Sequence, residues 1–245
     1  MARRILIVCG CCILALVGCT PASPAAPDAD PVIIAAGTGA PREVYEPMAS
    51  RLRAGGYRVF IYTIPTPLGP FDESAPSFQA FLEGVLDQTR SAKADVIGHS
   101  QGVILVRYAA RFLGGGSMID TMVSLSGGIH GSSFASDVNA SAGCFGLVLC
   151  KQAAIGSDFL QQLNEPNDAV DGVHHVNITT IHEQVATPYM NNLMYGTGDI
   201  TNVVVQDQCP ASQVEHALLA FDGAVASGID DALAHRPITL DCDAF

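Results

Sequence analysis

Ala94-Asp95-Val96-Ile97-Gly98-His99-Ser100-Gln101-Gly102-Val103-Ile104-Leu105-Val106 is the stretch on which the reading of this chain turns. Ala94 to Gly98 is a short apolar run of the kind a buried strand shows. From Gln101 to Leu113 the apolar positions continue over a length that suits a helix, until Gly114-Gly115-Gly116 closes it. Between the two, Gly98-His99-Ser100-Gln101-Gly102 fits G-x-S-x-G at a strand-to-helix turn. Such a turn lifts its serine off the C-terminal edge of a sheet. The flanking glycines let backbone pass where a Cβ would clash, and the N-terminus of the following helix favours developing negative charge. The bare pattern recurs by chance; the strand before it and the helix after it give it weight.

Outward from this turn, apolar runs alternate with amphipathic stretches. Val32 to Ala36 reads as a buried strand ending in Gly37-Thr38-Gly39. Glu43 to Ala54 reads as a helix, and Arg58 to Thr63 as a second strand. Pro65 to Pro76 reads as a loop too broken by proline for regular structure, followed by a helix from Ser77 to Ser91. Further strands are expected at Ile119 to Ser126, Val176 to Ile181 and Asn202 to Val205, with helices at about Gln213 to Phe221 and Gly223 to His235. This alternation predicts an α/β fold, a mainly parallel central sheet flanked by helices. Gly127 to Asp171 interrupts it and is the natural place for a short cap or lid insertion. With 245 residues the chain suits one such domain, expected over 31–245.

The first residues read differently. Met1-Ala2-Arg3-Arg4 gives a positive start, and the apolar run from Ile5 to Val17 falls short of the roughly 20 residues that span a bilayer. An export signal over 1–18 is therefore expected. Leu16-Val17-Gly18-Cys19 resembles a bacterial lipoprotein box, which makes Cys19 the acylated first residue of a mature, envelope-anchored chain. Ordinary cleavage within the following Ala/Pro stretch would instead give a secreted one. Residues 19–30 read as a flexible linker. The 12 basic and 24 acidic residues give a formal net charge of −12, which argues against a nucleic-acid partner.

Four of the eight cysteines lie in this leader. The other four are Cys144, Cys150, Cys209 and Cys242, an even number that favours disulfides in an exported domain. Three connectivities are possible. The simplest clips Cys144 to Cys150 and ties Cys209 to Cys242. The spacing matches no zinc pattern, and neither metal nor cofactor is expected.

A serine hydroxyl needs a base. His99 adjoins Ser100, but its side chain points away and reads as a packing neighbour. His130 could line the site, His174, His175 and His182 cluster near another strand, and His235 lies late in a helix. His216 follows the last strand, where the chain order Ser, acid, His places the base. The acid should follow the preceding strand, and Glu183 is the carboxylate within reach of its end; Asp171 and Asp199 are weaker candidates. An oxyanion hole needs two donors. Gln101 N–H and Thr38, with its N–H and hydroxyl, supply them.

With these segments in view, the chain resembles the bacterial class 2 lipase family of α/β hydrolases and, more loosely, the fungal lipase-B group. The resemblance rests on Gly37-Thr38-Gly39, Gly98-His99-Ser100-Gln101-Gly102, Val123-Ser124-Leu125-Ser126-Gly127-Gly128 with His130-Gly131, Val185-Ala186-Thr187-Pro188-Tyr189, and Gln206-Asp207-Gln208-Cys209-Pro210 with Val214-Glu215-His216. It runs from about Pro31 to Cys242. It implies the α/β-hydrolase fold and hydrolysis of triacylglycerols or other carboxylic esters. Ser100, Glu183 and His216 fall on the family's triad positions, and Thr38 and Gln101 on its oxyanion positions. The chain departs in having Ala36-Gly37 where the family often has His-Gly, and Glu183 where its acid is usually Asp. An acyltransferase on the same scaffold, or a lipid-binding lipoprotein with a decayed site, are the rival readings. A monomer is expected, with an ester or lipid as substrate and the membrane as a partner through Cys19.

Overall fold

The structure is a computed structural model that describes residues 29–244. The expected leader, Cys19 and nearly all of the linker lie outside these residues. The described chain runs β1 (Val32–Ala35), α1 (Glu46–Ala54), β2 (Val59–Tyr62), α2 (Phe71–Thr89), β3 (Ala94–His99), α3 (Gln101–Phe112) and β4 (Ile119–Leu125). It continues through α4 (Ser133–Ala142), α5 (Val148–Gln152), α6 (Asp158–Asn164), β5 (His174–Thr179), β6 (Ile200–Val204), α7 (Val205–Gln208) and α8 (Gly223–Leu233).

The six strands form one sheet in the order β2-β1-β3-β4-β5-β6, and every pairing is parallel. A parallel sheet needs helices on both faces, so its inner strands are apolar on both sides. Val32 and Ile34 of β1 point to the face covered by Ala49 and Leu52 of α1 and by Ile229 and Ala232 of α8. Ile33 and Ala35 point to the other face, beneath Phe78 and Leu82 of α2 and Leu163 of α6. β3 lies inside the sheet, between β1 and β4, which sets the turn at its end over the middle of the C-terminal edge.

Three expectations about the elements change. α2 begins at Phe71, inside the stretch read as a loop, and carries Pro76 within it. Pro76 and Asp72 are both exposed, and Pro76 has no N–H to offer the Asp72 carbonyl. Phe71 and Ala75 are buried and hold the turn in place. Gln152 of α5 completes it: its Oε1 accepts from Phe71 N at 2.7 Å and its Nε2 donates to Asp72 Oδ1 at 2.6 Å.

β5 starts two residues earlier than its apolar run suggests, because His175 is fully buried at the strand start, where its Nε2 accepts from Val170 N. Finally, the helix expected at 213–221 is a single 3₁₀ turn, His216–Leu218. The carbonyls of Val214 and His216 are engaged by side chains from elsewhere in the fold, Thr180 and His99, in place of a helical ladder.

The segment between β4 and β5 forms the cap. Ser132 and Ser157 cap α4 and α6 through their side-chain oxygens. Cys144 and Cys150 are bonded to each other beside the left-handed turn at Cys144 and Phe145. Cys209 is bonded to Cys242. Among the described residues no helix is long and apolar enough to cross a membrane.

Candidate active site

Ser100 stands between β3 and α3 with φ 54° and ψ −124°, a region that non-glycine residues rarely occupy. The strained turn is held by neighbours on both sides: Ser100 N donates to Leu125 O at 3.0 Å, and Val103 N to Ser100 O at 3.0 Å. Gly102 explains itself by proximity, since a Cβ there would lie 2.3 Å from the carbonyl oxygen of Ala35. The elbow can therefore press against β1 only with glycine at this position. Gln101 is the first residue of α3, so its N–H has no acceptor within the helix.

Thr38 lies exposed in the loop after β1. It lines the same cavity as Ser100 and Gln101, a cleft of about 350 Å³. Phe71, Ile104, Phe134 and Leu149 are among its walls, so the cap closes one side and α2 and α3 the other. Phe145, at the tip of the cap, is 81% exposed at its rim.

Glu183 and His216 meet beside this edge. His216 Nδ1 lies 2.8 Å from Glu183 Oε1 and 2.9 Å from Oε2. Glu183 Oε1 also accepts from Val185 N at 2.8 Å and Ala186 N at 2.9 Å. Burial alone would raise the pKa of this carboxyl. The hydrogen bond and charge of His216 and the N–H of Val185 outweigh it and hold it at about 2. Glu183 is thus an acceptor only, which fixes the proton of neutral His216 on Nδ1 and leaves Nε2 as the basic nitrogen. The Ser100 hydroxyl is not hydrogen-bonded to His216 in this conformation.

His130, His174 and His235 lie elsewhere, while His182 adjoins Glu183 in the chain. His130 Nε2 sits 3.0 Å from Asp168 Oδ2, and its ring stacks on Tyr195, away from the cleft. His174 pairs with Asp199 and His235 with Asp120, toward the opposite end of the sheet. Asp171 is exposed and, like Asp199, makes no contact with His216. Among the described residues no group of three or more His, Cys, Asp or Glu is arranged to hold a metal ion.

Two residues to which the sequence reading gives no role join the acid loop to the base loop. Thr180 Oγ1 donates to Val214 O at 2.7 Å and accepts from His182 N at 3.1 Å. Gln206 Nε2 donates to Thr180 Oγ1, while its Oε1 accepts from Ile181 N. A buried Thr and Gln at strand ends carry no sequence signal beyond their polarity. Only the tertiary arrangement shows that they lock residues 180–183 to 212–216.

The family model for class 2 lipases matches residues 76–226. A search of the curated proteins gives no match. Among solved structures, Aspergillus fumigatus lipase B superposes with a TM-score of 0.70 at 16% identity, over 88% of this chain and 55% of that one. This chain therefore spans little more than half of that protein's length. The lin2722 product of Listeria innocua gives 0.60 at 13% identity, over 88% of this chain and all of that one. Bacillus licheniformis lipase BlEst2 in its mature form gives 0.53 at 16%, over 64% and 66%. These likenesses speak for the fold, and the family match covers more than half of the sequence. The chain belongs to the class 2 lipase family and has the α/β-hydrolase fold.

Proposed function

We propose that this protein is an exported carboxylic-ester hydrolase that works through an acyl-enzyme on Ser100, with His216 as base and Glu183 as the acid that orients it. The observation that carries the reading is the buried Glu183–His216 pair, tied through the His216 carbonyl to His99, the neighbour of a strained serine that lines a largely apolar cleft. Ser100 Oγ attacks the ester carbonyl carbon and passes its proton to His216 Nε2. Glu183 stabilises the imidazolium across the 2.8 Å contact. The oxyanion is met by Gln101 N–H and by Thr38. The C–O bond to the alcohol then breaks as His216 returns the proton to the leaving oxygen. Water gives a proton to His216 and attacks the acyl-Ser100 carbonyl; the bond to Ser100 Oγ breaks as His216 returns that proton to it, and the acid is freed. Bonds between nucleophile and base are commonly open in free enzymes and tighten around substrate, which accommodates the open Ser100–His216 pair. The apolar walls suit the acyl chain of a lipid or similar ester.

Ser100→Ala is expected to abolish hydrolysis of a p-nitrophenyl ester series while leaving the circular dichroism unchanged, and a fluorophosphonate is expected to label the wild type at Ser100. Labelling elsewhere, or near-normal turnover in the variant, overturns the nucleophile. The reading further places the mature chain at the membrane through acylated Cys19. Detergent-phase partitioning is expected to vanish in Cys19→Ala, and an anchor that survives the change refutes this part alone.

A further inference from the structure

We propose that Tyr45 and His99 are positioning residues, a hydrogen-bonded bridge that fixes the oxyanion loop and the base loop on either side of Ser100. The proposal rests on the mechanism given above.

Gly37 N donates to Tyr45 Oη at 2.8 Å. Tyr45 Oη lies 2.8 Å from His99 Nδ1, and His99 Nε2 lies 3.0 Å from the carbonyl oxygen of His216. One arrangement of protons satisfies all three contacts. A carbonyl can only accept, so His99 carries its proton on Nε2; its Nδ1 then accepts, and Tyr45 must donate to it while accepting from Gly37. Burial, and after it the neighbouring His216, push the pKa of His99 down to about 4, so the ring stays neutral beside the imidazolium of the reaction.

Each end of the bridge stops one step short of a reacting group. Gly37 N–H belongs to the Ala36–Gly37 peptide, one residue before Thr38, the proposed oxyanion donor. The carbonyl at the other end belongs to His216 itself. The middle, His99, precedes Ser100 in the chain, so the loop after β1, the elbow after β3 and the loop that carries His216 are joined through two side chains. Tyr45 and His99 are 1% and 7% exposed, and an apolar pair would fill the same space without polar atoms that each require a partner. Packing is tight enough for the bridge to hold position. A Cβ on Gly37 would stand 3.2 Å from Ser100 Cβ and 3.4 Å from both His99 Nδ1 and Tyr45 Oη.

The test compares Tyr45→Phe, His99→Leu and His99→Gln with wild type and Ser100→Ala in the full chain. It uses a soluble p-nitrophenyl ester at a temperature where circular dichroism shows every variant folded. Tyr45→Phe is expected to lower kcat roughly ten- to hundredfold, the cost of sub-ångström misplacement, with KM within about threefold. His99→Leu is expected to lose more. His99→Gln, which can still donate to the His216 carbonyl and accept from Tyr45, recovers part of the loss. Nitrogen-15 spectra of the imidazoles are expected to show His99 as the Nε2–H form. A merely structural role would lower the melting temperature and leave kcat of the folded protein alone. Turnover of Tyr45→Phe within about twofold of wild type, or a proton on His99 Nδ1, overturns the bridge. Should Ser100→Ala keep its turnover, the mechanism fails and the positioning role with it; an inactive Ser100→Ala beside a fully active Tyr45→Phe overturns the bridge alone.

Discussion

Glu183 and Asp95 are carboxylates buried against opposite ends of one sheet, at 8% and 5% exposure. Equal burial does not give them equal charge. Glu183, beyond the C-terminal end of β5, is held at about 2 because an imidazole and backbone N–H groups offset its lost hydration. Asp95, near the start of β3, accepts from Thr121 N at 3.1 Å and has no cation against it. Burial drives its pKa to about 7, with Asp30 and Asp120 adding to the rise and the Thr121 bonds opposing it. Partners thus decide whether a buried carboxyl carries charge at neutral pH. The C-terminal edge is organised to keep a charge. At the other end, burial with no cation beside it leaves Asp95 only partly charged at neutral pH.

The largest way to break this contrast is to remove the charge and keep the shape. Glu183→Gln is expected to lower kcat by roughly 10³–10⁴ with little change in KM, since an amide favours the wrong tautomer of His216. Glu183→Asp, which restores charge at shorter reach, is expected to recover part of it. Turnover of Glu183→Gln within about tenfold of wild type, measured on one soluble ester, places the acid elsewhere.

A smaller effect sharpens the other side. The folded pKa of Asp95, about 7, stands above the ordinary 3.8, so the folded state holds a proton that the unfolded chain releases as pH rises. The stability tied to this proton is fully present below about pH 4 and is lost as pH climbs through 7. Urea unfolding of wild type minus that of Asp95→Asn is expected to show this decline, by at most roughly 4 kcal/mol. Parallel stability curves from pH 4 to 8 would mean that Asp95 ionises freely in the folded state.

The contrast also marks what could be read in the sequence. The elbow was legible because strand, turn and helix are contiguous, so one short stretch carries the whole geometry. Ser100, Glu183 and His216 could be named from chain order relative to strand ends, and the structure brings Glu183 and His216 together. Proline near a helix start misled, because the buried Phe71 and the reach of Gln152 into that turn are tertiary facts. His99 was read as a packing neighbour. Its position next to Ser100 was plain, but its partners are Tyr45 and the His216 backbone, and no local pattern announces either. Thr180 and Gln206 were missed for the same reason.

The contact from His99 to the His216 carbonyl joins positions 117 apart in the chain. Closing so long a loop costs entropy before any contact energy returns, and pairings of this separation tend to form late in folding. The elbow needs only β1, β3, α3 and β4. A chain made from its N-terminus therefore has its serine turn long before the loop that supplies the proposed base has been synthesised. On the proposed mechanism, a chain in which that loop has not docked lacks the base and cannot turn over esters. On the same reading, the return of ester turnover on refolding reports the docking of that loop, where circular dichroism reports only the helices.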